Sequence, residues 1–370
     1  MSLEEVIDTG KHNVTSKQMV LLTFVAQTGV SMITLPTVMA RAVGHDGWIS
    51  VLLAGVLSIV IGILVIHLLN RYKDKSIYDI NKLIYGRIIG SCINVILIIF
   101  LFLAAANSVR AFSVFLEITI LPTTPVYVIS PFIMLPSIYM VGSGLKYVVR
   151  FKYVSCVSYL LSFLYLLLLL KDYNISFLMP VGEVGALNIL KSVKTGFFAF
   201  LGLEIIAFIY PEITDKENLM KWHGIAIGLS TIFSLMIVLS GTALFGENFL
   251  KVQNLPLFNI ARVYKAPVLE RLDLYLITVW FVVMGCSMRA YMMAAYYSLG
   301  KLFKLKDTRG MVLLFFILLI LVSRIPRDFN QVFFFREILS QVGIVIYLFF
   351  ILCLILSYFR SKGVKDDAEN

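Results

Sequence analysis

The chain has 370 residues, 59% of them hydrophobic and 15% charged, against about 45–50% and about 25% in average soluble domains. So many apolar side chains have no place in a water-soluble core, which excludes soluble enzymes, nucleic-acid readers and disulfide-rich secreted domains. The formal charge of +10 follows from the bias of Lys and Arg to cytoplasmic loops and carries no information about ligands.

Residues 18–40, 47–70, 88–109, 222–246 and 338–359 contain no Asp, Glu, Lys or Arg, and a helix needs about 20 apolar residues to cross a bilayer. Met1 to Asn13 carries Glu4, Glu5 and Asp8 and does not read as a signal peptide. Apolar runs then predict ten spans, at 17–40, 47–69, 88–116, 126–143, 147–170, 191–210, 222–245, 270–298, 310–325 and 336–359. They fill one transmembrane domain over 1–370, an all-α polytopic membrane protein. With the N-terminus inside, 19 of the 32 basic residues fall on the cytoplasmic side, Lys152 among them. Twelve fall outside, Arg336 among them, and Arg289 lies within a span. Both termini are therefore expected in the cytoplasm. Between spans 7 and 8, Leu257, Ile260, Ala261 and Tyr264, bracketed by Pro256 and Pro267, have the spacing of a short amphipathic helix on the outer surface.

The two halves echo each other. Span 1 reads Thr28-Gly29-Val30-Ser31-Met32-Ile33-Thr34-Leu35-Pro36, and span 6 reads Phe200-Leu201-Gly202-Leu203-Glu204 before Tyr210-Pro211. Each has a mid-span Gly followed by a Pro. Ser108 to Phe112 in span 3 likewise echoes Ser287 to Tyr291 in span 8. Two repeats of five spans, approximately 15–171 and 188–360, are expected, inverted with respect to each other, with spans 1 and 6 meeting near the midplane. An unwound segment at Gly29, Val30, Ser31 and Met32, and another at Leu201 and Gly202, would offer free N–H and C=O groups to a small zwitterion such as an amino acid.

Ala104, Asn107 and Ser108 share a face of span 3, and Ser287 and Tyr291 a face of span 8. These residues fit either the walls of a ligand pocket or ordinary interhelical hydrogen bonds. Glu204 and Arg289 are charges within spans, consistent with a mutual salt bridge or snorkelling, or with a proton or gating relay. Cys92, Cys156, Cys286 and Cys353 stand alone in apolar stretches. No zinc signature, phosphate loop or nucleophile triad is present, so no metal, cofactor or catalytic residue is expected and the chain is not expected to be an enzyme.

Thr15-Ser16-x-Gln18, Thr34-Leu35-Pro36, Asp46-Gly47-Trp48, Phe200-Leu201-Gly202-Leu203-Glu204, Tyr210-Pro211 and Pro326-x-Asp328-x-Asn330-Gln331 stand at the starts, breaks and ends of the spans. Together they resemble the B subunit of the GerA-type spore germinant receptors. That family looks like a branch of the amino acid–polyamine–organocation transporter superfamily, with the LeuT-type fold of five-plus-five inverted repeats and broken helices 1 and 6. The resemblance implies a nutrient sensor in the spore inner membrane, acting with an A subunit and a lipoprotein C subunit on a germinant that is often an amino acid. It also implies a pocket on Gly29 to Met32, Leu201, Gly202, Ala104, Ser287 and Tyr291. Span 1 departs from transporter relatives in having one Gly where many have Gly-x-Gly. Ser108 stands where family members often carry an acidic residue, which removes an ammonium contact. An amino acid permease is the alternative, and a scaffold for a conduit formed with partners a third. Coupled uptake in this fold usually needs paired hydroxyls on span 8 or a buried Lys in span 5. Span 8 offers Ser287 beside Cys286, and residues 153–170 contain no Lys, which weakens coupled uptake and leaves a facilitator open.

Overall fold

The computed structural model describes residues 13–73, 75–264, 272–303 and 309–366, with side chains as far as 359. Among the described residues there are helices and no strands, apart from an isolated bridge between Val14 and Ile213. Seven helices are long and apolar enough to cross a membrane. They comprise span 2 (Gly47–Arg71), joined in one apolar stretch to the second half of span 1, and span 3 (Arg87–Thr119). Span 4 (Val126–Ser143), span 5 (Leu145–Leu168), span 7 (Leu219–Val252), span 8 (Leu272–Phe303) and span 10 (Phe329–Asp366) complete the set. Span 9 is the shorter helix Arg309–Ser323.

Spans 1 and 6 are broken, as their glycines predict. Span 1 runs Ser16–Thr28, loosens into a 3-10 turn at Val30–Ile33, and resumes at Leu35–Val43 with Pro36 in its first turn, where a missing N–H costs nothing. Span 6 runs Ala186–Gly196, passes a 3-10 turn at Phe197–Ala199, unwinds, and resumes for one short helix, Ile205–Ile209. Gly202 has φ 119° in the unwound stretch, a conformation open to glycine and costly for other residues. Span 1 begins at a full capping box. Thr15 accepts from the Gln18 amide, and the Gln18 side chain accepts from Thr15 N–H, so the Thr-Ser-x-Gln motif closes two of the orphan groups at a helix start.

Span 8 lies along spans 1, 3 and 5, span 7 along spans 1 and 2, and span 10 along spans 2 and 3. This encloses both breaks. The basic connection between spans 2 and 3 holds a helix, Ile77–Tyr85, whose apolar face is buried. Asn94 of span 3 clips it by donating to Tyr78 O at 2.9 Å and accepting from Asn81 at 2.8 Å. Between spans 7 and 8, the expected amphipathic helix spans Pro256–Ala261. It is tucked against spans 1, 7 and 8 with Pro256, Ile260 and Ala261 buried, rather than laid on the surface. Pro267 lies outside the described residues.

At the end of the bundle where spans 1 and 2 connect, a polar latch joins the 1–2 and 5–6 connections to the end of span 7. His45 N–H donates to Glu247 Oε2 at 2.8 Å, and the ring nitrogens face Glu247 Oε2 at 3.0 Å and the Pro180 carbonyl at 2.8 Å. Both ring partners are acceptors, so both nitrogens donate only in the imidazolium form. Burial alone would lower the His45 pKa, but the bonds to Pro180 and Glu247 and the charges of Asp46 and Glu247 outweigh it and raise it above 6.5. The raised His45 value means its stabilisation is whole below pH 6.5 and fades as pH rises through the folded value. Raising pH from about 6 to about 8 should therefore lower the unfolding midpoint of the purified protein through this latch. The His45→Gln variant should lose that part of the slope; an identical slope in both proteins rejects the latch.

Candidate functional site

The two breaks are pressed against span 8. A Cβ on Gly29 would sit 2.1 Å from Ser287 Cβ, and one on Gly202 would sit 2.8 Å from Ala26 Cβ and 3.2 Å from the Tyr291 hydroxyl. Ser287 Oγ donates to Ala26 O at 3.2 Å, the carbonyl that would otherwise serve the 3-10 turn. Gly29, Val30, Ser31, Met32, Leu201, Gly202, Ser287 and Tyr291 are thus brought together and buried. Span 3, which carries Ala104 and Asn107, packs on span 8 and reaches the span 1 break. Asn107 is 4% exposed, and neither atom of its amide has a hydrogen-bond partner.

The freed backbone of span 6 is satisfied by side chains. The Phe200 carbonyl accepts from Gln27 Nε2 at 3.3 Å, and Glu204 Oε2 accepts from Gly202 N–H at 2.8 Å. Tyr347 Oη, with one proton to give, lies 2.8 Å from Glu204 Oε2 and 3.2 Å from the Phe200 carbonyl. Glu204 is completely buried, and its Oε1 is unpartnered. Its cationic neighbour is Arg336 of span 10, not Arg289.

The expected pairing of Glu204 with Arg289 is not formed. Arg289 is two residues from both Ser287 and Tyr291, about 200° around the helix, and so turns away from the breaks. Its guanidinium lies 4.6 Å from the Phe151 ring centroid and 3.6 Å from Cys286 Sγ, on the span 5 side. Two residues counted from sequence among the basic residues of the two membrane sides are also core residues. Lys152 and Arg336 are each 1% exposed. Lys152 Nζ donates to Cys286 O of span 8 at 3.3 Å, so span 5 does carry a buried Lys, one position before the segment that lacks one. Helical spacing holds the signal for both. Val148, Lys152, Ser155 and Tyr159 share the buried face of span 5, as Val332, Arg336, Leu339, Gly343 and Tyr347 share that of span 10.

The two ends of the bundle differ. At the end where span 1 begins, Ser16 N–H and Oγ donate to the Asp215 carboxylate at 2.5 and 2.6 Å. Val14 N–H donates to Glu212 O and Thr214 N–H to Val14 O, both at 3.0 Å, so the start of span 1 is fastened to the segment after span 6. Toward the opposite end, a cavity of about 330 Å³ opens between the second half of span 1, the first half of span 6 and the start of span 10, with Thr34, Arg41, Lys194, Phe198, Glu337 and Ser340 on its walls.

A family model described as spore germination protein matches residues 13–332, and the chain belongs to that family. It is 25% identical to spore germination protein YndE of Bacillus subtilis (strain 168) over 96% of this chain and 99% of that one. It is 24% identical to spore germination protein B2 of the same organism, over 95% and 97%. Spore germination protein GerQB of Bacillus cereus is 25% identical over 73% of this chain and 75% of its own. Among solved structures, the chain resembles MhsT in complex with L-phenylalanine, with a TM-score of 0.65 and 13% identity over 92% of this chain and 88% of that one. That similarity is one of fold: the LeuT-type arrangement of ten membrane helices with broken helices 1 and 6.

The Gly29 contact yields a direct test. Gly29→Ala puts a methyl where Ser287 Cβ stands and should cost about 1–3 kcal/mol of stability. Adding Ser287→Gly removes the clash and should restore more than half of the loss, despite the cost of glycine in a helix. Unfolding midpoints of the two single variants and the double variant measure the coupling. Additive losses would show that the two helices do not meet at this point.

Proposed function

We propose that this spore germination family member binds a small zwitterionic nutrient, an amino acid or a close analogue, where spans 1 and 6 break. Occupancy is passed to an A-type subunit and a lipoprotein C-type subunit. The observation that carries this reading is the convergence of two glycine breaks on one face of span 8, beside the unpartnered Tyr291 hydroxyl. Unwound backbone inside a membrane is tolerated where it is packed in protein or lines a site, and free main-chain groups complement both ends of a zwitterion. In this reading Gly29, Val30, Ser31, Met32, Leu201 and Gly202 contribute main chain, and Ala104, Asn107, Ser287 and Tyr291 contribute walls. The names of the relatives and the L-phenylalanine held by a transporter of the same fold support it. The membrane is the spore inner membrane and both termini face the spore core. Moving Lys152 and Arg336 into the interior removes one basic residue from each side and leaves the charge asymmetry unchanged.

A permease is the second reading, and Lys152 favours it. A buried lysine side chain bridging span 5 to span 8 stands where a coupled transporter of this fold would place one. Uptake of labelled amino acids into proteoliposomes separates the two readings: a sensor takes up none, whereas a permease accumulates or equilibrates its substrate and loses that activity in Lys152→Ala.

Gly343 of span 10 gives the test of the binding reading. A Cβ there would meet Leu201 Cδ1 at 2.6 Å, so Gly343→Ala must shift the Leu201 side chain without touching main chain. Spores carrying this variant should need about tenfold more amino acid for half-maximal germination, since overfilling a packed site costs about 1–3 kcal/mol. The shift should grow with the size of the amino acid, at unchanged receptor abundance by blotting. An unaltered dose response across a panel of amino acids, at normal abundance, would put the ligand elsewhere.

A further inference from the structure

Arg336 is the largest completely buried side chain of the described residues, and none of its three guanidinium nitrogens has a hydrogen-bond partner. Leaving a buried cation in this state is strongly unfavourable. Its polar surroundings come from three elements. Tyr291 of span 8 lies beside it without closing a hydrogen bond, and Tyr347 of its own helix and Glu204 of the span 6 break are its charge neighbours. Glu204 does not neutralise it by direct contact. Its Oε2 is engaged by Gly202 N–H and Tyr347, and its Oε1 has no partner. A set of unsatisfied donors therefore stands near an unsatisfied acceptor and an unsatisfied hydroxyl, all completely buried.

We propose that Arg336 is the receptor for the ligand's carboxylate, with Glu204 Oε1 set to take its ammonium group. This deepens the amino acid reading above and rests on it, but it moves the carboxylate from the half-helix amides of span 1 to a side chain of span 10. The guanidinium fork binds a carboxylate through two parallel charge-assisted hydrogen bonds, which is what three idle donors require. Separation of Arg336 from Glu204 leaves the opposite charges to be bridged by a molecule that carries both signs. The approach is from the cavity at the start of span 10. Phe198, which lines that cavity, also lies over the guanidinium, at 5.7 Å from ring centroid to Cζ. Phe333 and Ser340, one turn before and after Arg336, line the same cavity while Arg336 does not. The Phe198 ring thus stands between the guanidinium and a 330 Å³ vestibule. Arg41 and Lys194 outnumber Glu337 on its walls, which favours an anionic group on its way in.

The test is thermal stabilisation of the purified full chain by a panel of L-amino acids, each beside its own carboxamide, in wild type, Arg336→Gln and Arg336→Lys. Wild type should be stabilised by an amino acid and not by its amide. In Arg336→Gln the affinity for that amino acid should fall about a hundredfold, to the level of the amide, and in Arg336→Lys, which keeps the charge but not the fork, about tenfold. If Arg336→Gln does not accumulate, Arg336→Lys decides, and an unchanged affinity there overturns the proposal. Variants that keep the wild-type preference for acid over amide overturn it while leaving the amino acid reading standing. A panel that is silent on wild type defeats that reading and this proposal with it. Stabilisation that follows chloride concentration, ignores amino acids and vanishes in Arg336→Gln would assign the site to an inorganic anion and overturn the carboxylate assignment.

Discussion

A peptide group released from a helix inside a bilayer has no water to turn to, and this constraint governs the centre of the molecule. The Phe200 carbonyl, freed by the unwinding of span 6, draws in Gln27 from span 1 and Tyr347 from span 10. The freed Gly202 N–H is met by Glu204 two residues later. The Ala26 carbonyl at the span 1 break takes the Ser287 hydroxyl. The span 1 break is therefore tied to span 8, and the span 6 break to spans 1 and 10. Close approach is what makes these bonds reachable, and it is bought at Gly29, where a single added carbon has no room.

The breaks were legible because glycine and proline mark them directly: Gly29 with Pro36, and Gly202 with Pro211. Span count was legible because ten apolar runs are separated by charged connections. The interior charges were not. Lys152 and Arg336 stand at the ends of apolar runs, where a basic residue reads as a loop marker, and apolar runs alone cannot distinguish a boundary from a buried charge. Helical period does distinguish them, since both residues fall in register with buried faces. Glu204 and Arg289 failed in the opposite way. Two charges within spans implied a pair, yet Arg289 is rotated about 200° from the span 8 residues that face the breaks. Asn107, sharing a face with Ala104, was recognisable as a candidate, but only the structure reveals its amide to be wholly unpartnered.

Opposite ends of the bundle are held differently. Where span 1 begins, the Asp215 carboxylate takes both the amide and hydroxyl of Ser16, and the Val14 strand-like contact adds two backbone bonds. Tyr297 and Lys301 of span 8 both reach Glu212 in the same segment. At the other end, the 1–2 connection is fastened to span 7 through His45 and Glu247, and Asp46 accepts from the amides of Gly182 and Val184, yet a cavity remains between span 10, the second half of span 1 and the first half of span 6. The seam at the start of span 1 is closed by short polar contacts at the end of a 13-residue half-helix that stops at Gly29.

That arrangement bears on how occupancy becomes a signal. A ligand shifts a conformational equilibrium only through its difference in affinity for the two states, so a molecule held wholly by the paired breaks, which are knitted to each other and to span 8, would change little when they move together. A ligand held between Glu204 at the span 6 break and Arg336 of span 10 is different. It bridges two elements that face the same cavity, so a change in their spacing would change its binding energy. Whether the seam at the start of span 1 opens in response separates transport from sensing. Transport needs the Ser16–Asp215 contacts to break in every cycle, whereas a sensor needs only a bias in the spacing of span 10 against the breaks, which a partner subunit packed on the exposed faces of the bundle can read.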